Sequence, residues 1–256
     1  MPSRKIKPVL LLVASVIIMQ FIVSWTVNLI YSFFDYGAAD TYVLIVATEI
    51  FAVLLPVLIY VRFHGSGILT IEKVKFSVVL VGIILGISAQ LVAQIINIPM
   101  IIWLAPPPSD ISVSQATHSI ITGIVVVALI PAICEELLMR GVMLSAFKKY
   151  GTMLAVIISA LCFAGLHSSV TNLPGLIFLG LVLGYITILE GSVLLAVTVH
   201  FASNAFGMVF DWFAGKNQLA MPFLTDLGFR IGLAVASAIL MVFIICLRRN
   251  KINAEK

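Results

Sequence analysis

The sequence predicts an all-α protein that crosses a membrane several times. Of its 256 residues, 62% are hydrophobic and only 10% are charged, and the mean hydropathy is +1.19. Soluble globular domains do not have this composition. The apolar stretches run for about 20 residues without the alternation that barrel strands show, so helices are predicted. We interpret residues 1–256 as a single membrane domain.

Eight apolar stretches are predicted to span the bilayer as helices. In chain order they cover residues 8–33, 42–61, 76–104, 120–147, 152–168, 173–189, 192–213 and 228–247. The sequence APPPSD at 105–110 ends the third. The glycine pairs Gly82/Gly86 and Gly180/Gly184 have the spacing that allows helices to approach closely, so they predict helix packing rather than chemistry.

The distribution of basic residues predicts the orientation of these spans. Twelve of the fifteen Lys and Arg residues lie in the two tails, the 62–75 loop and the 148–151 turn. By the positive-inside rule both termini are predicted to be cytoplasmic. The chain is expected to be a multi-pass protein of the plasma membrane. The net charge of +4 sets topology and is not a signal for nucleic-acid binding. The three cysteines lie in apolar segments and are predicted to pack rather than to form disulfides.

The fourth span contains the sequence PAICEELLMR at 131–140, which places three charged groups inside an apolar run. Such groups are costly in a bilayer unless they are paired or face a polar cavity. At about 100° per residue, Glu136 and Arg140 share one helix face, so they are predicted to form an ion pair. Glu135 points elsewhere and is the free carboxylate. Pro131 removes a helix hydrogen bond and is predicted to kink the helix beside the acidic pair.

Two further spans carry polar residues that can reach Glu135. Spans four and five form a hairpin turning near residues 150–151, with Glu135 and His167 at similar distances from the turn. Their levels therefore match. His200 and Asn204 share one face of the seventh span, and they reach that level if the hairpin projects into the cytosol. Taken singly, each histidine is equally well explained as a hydrogen-bonding partner between helices. Glu49, in the second span, is predicted to pair with a partner that the sequence does not identify.

Three ordered motifs carry a resemblance to a known family. They are EExxxR (Glu135, Glu136, Arg140), FxxxH (Phe163, His167) and HxxxN (His200, Asn204). Over residues 125–204 the chain resembles the CPBP family of intramembrane proteases, which is also called the CAAX-protease, bacteriocin-processing or Abi family. It resembles the bacterial members of that family. The resemblance implies eight transmembrane helices around a cavity open to the cytosol, with peptide hydrolysis inside it. The catalytic core is expected at about residues 120–213.

The residues of these motifs suit such a reaction. Glu135 is expected to be the general base that activates water, and His167 to orient that water. His200 and Asn204 would donate hydrogen bonds to the tetrahedral oxyanion. The Glu136–Arg140 pair would hold Glu135 in place, and Phe163 would pack. No cofactor is firmly predicted; the alternative is a zinc ion on Glu135, His167 and His200, although the chain has no HExxH helix.

The function predicted from these observations is an intramembrane endopeptidase. Its substrate would be a membrane-associated peptide or a lipid-modified protein tail, among membrane lipids, and a membrane signalling partner is a further expectation. One alternative is a non-proteolytic bacteriocin-immunity or scaffold protein. A second is a small proton-coupled transporter that uses the acidic pair as a relay.

Overall fold

The computed structural model describes residues 6–33, 38–65, 74–104, 119–167, 169–216 and 226–254, and these ranges contain helices and no β-strand. The segment APPPSD and several loop and tail residues used for topology, among them Arg4, Lys5, Asp35, Lys73 and Lys256, lie outside them. The helical segments in chain order are α1 (Ile6–Tyr31), α2 (Ala38–Ala47), π1 (Thr48–Leu54), α3 (Leu55–His64), α4 (Phe76–Leu104), α5 (Ile120–Gly123), π2 (Ile124–Leu129), α6 (Ile130–Glu136), π3 (Leu137–Leu144), α7 (Ser145–Phe147), a 3₁₀ turn (Lys148–Tyr150), α8 (Thr152–Leu166), α9 (Leu173–Glu190), α10 (Val193–Lys216) and α11 (Leu227–Ala254).

The predicted polytopic helical fold is confirmed. Within the described residues, seven helices are long and apolar enough to cross a membrane: Ile6–Tyr31, Thr41–His64, Phe76–Leu104, Ile120–Tyr150, Leu173–Glu190, Val193–Phe213 and Leu227–Ala254. The remaining predicted span corresponds to α8, which has only 15 residues. At 1.5 Å per residue α8 is about 22 Å long, short of the roughly 30 Å of a hydrocarbon core.

The helix that carries the acidic pair is wound irregularly around Pro131. Two π-helical segments, π2 and π3, flank the short α6 in which Pro131 and both glutamates lie. Proline has no N–H and cannot donate to the carbonyl four residues upstream, that of Val127. The interruption predicted at Pro131 is therefore accompanied by wider helical turns on both sides. Short π-helical insertions are frequently found at functional sites.

Both glycine pairs mark close helix contacts, as predicted. A Cβ atom on Gly82 would lie 2.8 Å from the Leu195 side chain, and one on Gly86 would overlap the Val199 carbonyl oxygen. These two glycines bring α4 against α10. A Cβ atom on Gly180 would lie 2.8 Å from the Cα of Ala160, so α8 and α9 also approach to backbone contact there.

A side chain from another helix accepts a hydrogen bond from a backbone N–H group in the first turn of α9. Asn97 of α4 accepts a hydrogen bond at Oδ1 from the Gly175 amide (2.7 Å) and donates from Nδ2 to Asn172 Oδ1 (3.4 Å). The first N–H groups of a helix have no partner within it, and such groups are costly away from water. Asn97 therefore stabilises a helix end that follows directly after the short α8.

Candidate active site

Glu136 is the centre of a fully buried ionic cluster. Its Oε1 atom accepts hydrogen bonds from Arg140 Nη1 (2.8 Å) and from His200 Nδ1 (2.9 Å). Arg140 also donates from Nη2 to the Gly180 carbonyl (2.9 Å). The exposed fraction of Glu136, Arg140 and His200 is 1% or less. The structure thus contains the predicted Glu136–Arg140 pair, and it adds His200, which the sequence analysis had not connected to Glu136.

This contact fixes the roles of the two ring nitrogens of His200. A carboxylate oxygen only accepts, so Nδ1 is the donor to Glu136. In a neutral ring the other nitrogen, Nε2, then carries a lone pair. Nε2 donates a hydrogen bond only when the ring holds both protons, and in that state Nδ1 still donates to the carboxylate that Glu136 shares with Arg140.

Glu135 faces His167 across a more open part of the site. Glu135 Oε2 lies 3.5 Å from His167 Nε2, and their side chains are 14% and 28% exposed. His167 Nδ1 donates to the Phe163 carbonyl (2.8 Å), so Nε2 is the acceptor nitrogen of a neutral ring. Glu135 Oε2 is buried and has no hydrogen-bond partner within the described ranges. Two acceptors thus face each other, and a water molecule at the edge of the pair would supply the donor that both need.

Phe163 packs between the two parts of the site, as predicted. Its ring centroid lies 4.7 Å from that of His167, 5.4 Å from that of His200 and 5.0 Å from Arg140 Cζ. Only 1% of its surface is exposed. The ring therefore contacts both the buried cluster and the Glu135–His167 pair.

Asn204 lies one turn beyond His200 on α10 and is partly buried. Its Nδ2 atom is 3.5 Å from the Val127 carbonyl oxygen, which is a long hydrogen bond. That carbonyl is the one to which Pro131 cannot donate. The irregular winding before Pro131 thus leaves an acceptor beside the Asn204 amide.

A comparison with protein families found a match that covers the segment in which these residues lie. Residues 117–206 match the family model described as "Rce1-like: Type II CAAX prenyl endopeptidase Rce1-like". The matched segment is about a third of the chain, and it is similar to the Rce1-like type. This confirms the predicted resemblance to the CAAX-protease family and the predicted enzyme class, because the family consists of proteases, which are hydrolases. No curated protein and no solved structure matches the chain.

The zinc site predicted as an alternative has no matching arrangement of side chains in the described residues. No group of three or more His, Cys, Asp or Glu side chains in the described part of the chain is arranged to hold a metal ion, and Glu135, His167 and His200 all belong to that part. The steps proposed for the reaction use protein groups and water.

One carboxyl group at the site lies outside the matched segment. Glu49 in π1 is 8% exposed, and its side chain is in hydrogen-bonding contact with Glu135. The sequence predicts a partner for Glu49, because a single carboxylate lies inside an apolar span, but it does not identify that partner. In the structure π1 packs against α6, which carries Glu135.

Proposed function

We propose that the Rce1-like domain hydrolyses a peptide bond in the tail of a membrane-associated peptide or protein, with Glu135 as the general base. The observation that supports this proposal best is the Glu135–His167 pair, in which two hydrogen-bond acceptors face each other at 3.5 Å. A water molecule that donates one hydrogen to each acceptor presents its lone pair for attack.

In the first step the Glu135 carboxylate takes a proton from this water while the water oxygen attacks the scissile carbonyl carbon. His167 holds the water through its Nε2 acceptor, because Nδ1 is occupied by the Phe163 carbonyl. A base placed in this way accelerates such reactions by about 10²–10⁴-fold.

The attack moves negative charge onto the carbonyl oxygen of the substrate. His200 and Asn204, one turn apart on α10, are the proposed hydrogen-bond donors to this oxyanion. His200 donates from Nε2 as an imidazolium that keeps its Nδ1 hydrogen bond to Glu136, and Asn204 donates from Nδ2. Preorganised donors of this kind stabilise the transition state because they need not reorient during the reaction.

The tetrahedral intermediate then collapses. The C–N bond breaks, and Glu135 passes the proton taken from water to the leaving amine nitrogen. One water is consumed, and a new carboxyl terminus and a new amine are formed. Glu136 and Arg140 hold the buried half of the site through Gly180 and His200.

The proposed substrate is a peptide segment that reaches the site while anchored in the membrane, for example by a lipid-modified cysteine. The site lies between the apolar helices α6, α8 and α10, so membrane lipids surround it and the substrate enters from them or from a cavity open to the cytosol. A signalling protein of the membrane with an anchored tail of this kind would be one such substrate.

The test uses purified protein in proteoliposomes and two internally quenched peptides. Both peptides end in a cysteine, two aliphatic residues and a final residue, and one carries a farnesyl group on the cysteine. We expect wild-type protein to cleave the farnesylated peptide and Glu135→Gln to lose at least about 100-fold in kcat. Glu190→Gln is the control, because Glu190 binds Arg248 at a distance from the site.

A second measurement does not depend on the choice of peptide. Native membranes are incubated with wild-type protein or with Glu135→Gln, and the new peptide termini are compared by mass spectrometry. Termini that appear with the wild type alone support proteolysis. If no terminus depends on Glu135 and neither peptide is cleaved, the proposal is wrong and a non-proteolytic role of the same fold takes its place.

A further inference from the structure

Glu49 is a carboxyl group that the proposed reaction does not use. It lies in π1, on a helix that precedes the matched Rce1-like segment, and it is 8% exposed. Its Oε2 atom is buried and has no hydrogen-bond partner within the described residues. A buried carboxyl group inside an apolar helix is costly, so its presence in this position calls for a function.

The contact between Glu49 and Glu135 indicates what this function is. π1 packs against α6, the helix that carries Glu135, and this brings the Glu49 side chain within hydrogen-bonding reach of the Glu135 carboxyl group. His167 meets the same carboxyl group from the end of α8, with 3.5 Å between Nε2 and Oε2. Glu135 is therefore held between two helices that are far apart in the sequence.

The chemistry of this contact decides which partner donates. A carboxylate has acceptors only, so a hydrogen bond between two carboxyl groups needs one of them in the acid form. Glu135 must be the carboxylate if it is to take a proton from water. Glu49 is more deeply buried than Glu135, and Glu135 is the one that faces His167, so Glu49 is the partner that carries the hydrogen.

We propose that Glu49 is a positioning residue that donates a hydrogen bond to Glu135 and holds the Glu135 carboxylate toward His167. This inference rests on the proposed role of Glu135 as the base. Without that hydrogen bond the Glu135 side chain can turn away from the water, and small misplacements of a catalytic group are costly to the rate. Glu49 does not contact the peptide, so the effect falls on kcat and not on KM.

The experiment uses the farnesylated quenched peptide and the full chain in proteoliposomes. Glu49→Gln retains a donor of the same length and should keep kcat within about threefold of wild type. Glu49→Leu has a similar volume and no donor, and should lower kcat by about 10–100-fold with unchanged KM, the usual effect of losing one hydrogen bond to a charged group. Glu49→Asp keeps the carboxylic acid on a shorter side chain, so its kcat should be lower than that of Glu49→Gln. Thermal unfolding is measured for each, with Glu190→Gln as the matched carboxyl control.

The outcomes separate this inference from the proposed function. If Glu135→Gln keeps full activity, the proposed function fails and the role of Glu49 with it. If Glu135→Gln is inactive while Glu49→Leu has a normal kcat, only the inference about Glu49 is wrong. Equal losses in Glu49→Gln and Glu49→Leu at an unchanged unfolding temperature would also overturn it, because an amide donor would then not suffice. If Glu49→Leu does not accumulate, the other two variants test the proposal. It requires a higher kcat for Glu49→Gln than for Glu49→Asp, and the reverse order refutes it.

Discussion

Among the single residues of the site, Asn204 makes one long hydrogen bond and is proposed to donate to the oxyanion. Its Nδ2 atom is 3.5 Å from the Val127 carbonyl oxygen, so turning toward a substrate oxyanion would cost little. We expect Asn204→Ala to lower kcat by about 10²–10³-fold with little change in KM, the usual size for one lost oxyanion donor. Steady-state kinetics on the farnesylated peptide measure this. A kcat within twofold of wild type would remove Asn204 from the mechanism.

Arg140 should matter for stability more than for chemistry. It connects Glu136 on its own helix with the Gly180 carbonyl of α9, and it is 1% exposed. We expect Arg140→Gln to destabilise the protein by about 3–5 kcal/mol, because it leaves a buried carboxylate without its charged partner. Thermal unfolding in detergent measures this. The control is Arg248→Gln, whose partner Glu190 is less buried, and an equal loss in both variants would contradict the prediction.

The ion pair of Arg140 could be predicted from the sequence, but its third member could not. Glu136 and Arg140 are four residues apart on one helix, so helix geometry alone brings them together. His200 is 64 residues away from Glu136 in the chain. Its contact depends on the rotation of α10 about its axis, which an apolar sequence does not specify. The partner of Glu49 was hidden for the same reason.

At the level of helices, the contact between α8 and α9 depends on the absence of a side chain at Gly180. We expect Gly180→Ala to lower the free energy of unfolding by about 1–3 kcal/mol and to reduce activity, because the new methyl group meets backbone atoms of Ala160 that cannot move aside. Thermal unfolding together with peptide cleavage measures both effects. The matched control is Gly165→Ala on α8, where a Cβ would meet nothing within 4 Å. Equal stability of the two variants would contradict the packing argument.

Helix positions were predicted well, and helix winding was not. The apolar runs end at loops rich in polar residues, proline or glycine, so their limits agree with the structure to within a few residues in most spans. The π-helical segments have the same apolar composition as the α-helices around them. Pro131 signalled an interruption, but nothing in the residue types distinguishes a kink from wider turns on both sides.

At the level of the whole molecule, the remaining question is which side of the membrane each end faces. We predict cytoplasmic termini and eight crossings, because of the basic residues in the tails and in alternate loops. Arg248 Nε donates to Glu190 Oε1 at 2.6 Å, so the end of α9 and the end of α11 lie on one side, which agrees with this topology. Reporter fusions after residues 110 and 256 should report opposite sides. The same side for both would refute the topology.

The short α8 has a consequence for the surrounding lipid. From its first residue to His167, α8 is roughly 22 Å long, about 8 Å less than an average hydrocarbon core. The Asn97 side chain binds the start of α9 through Gly175 and Asn172, shortly after this helix ends. Hydrophobic mismatch at this point would be relieved by local thinning of the bilayer, at a cost that grows with each ångström of lipid thickness. Acyl-chain length thus becomes a variable of the reaction, since it sets how far water must travel to reach His167.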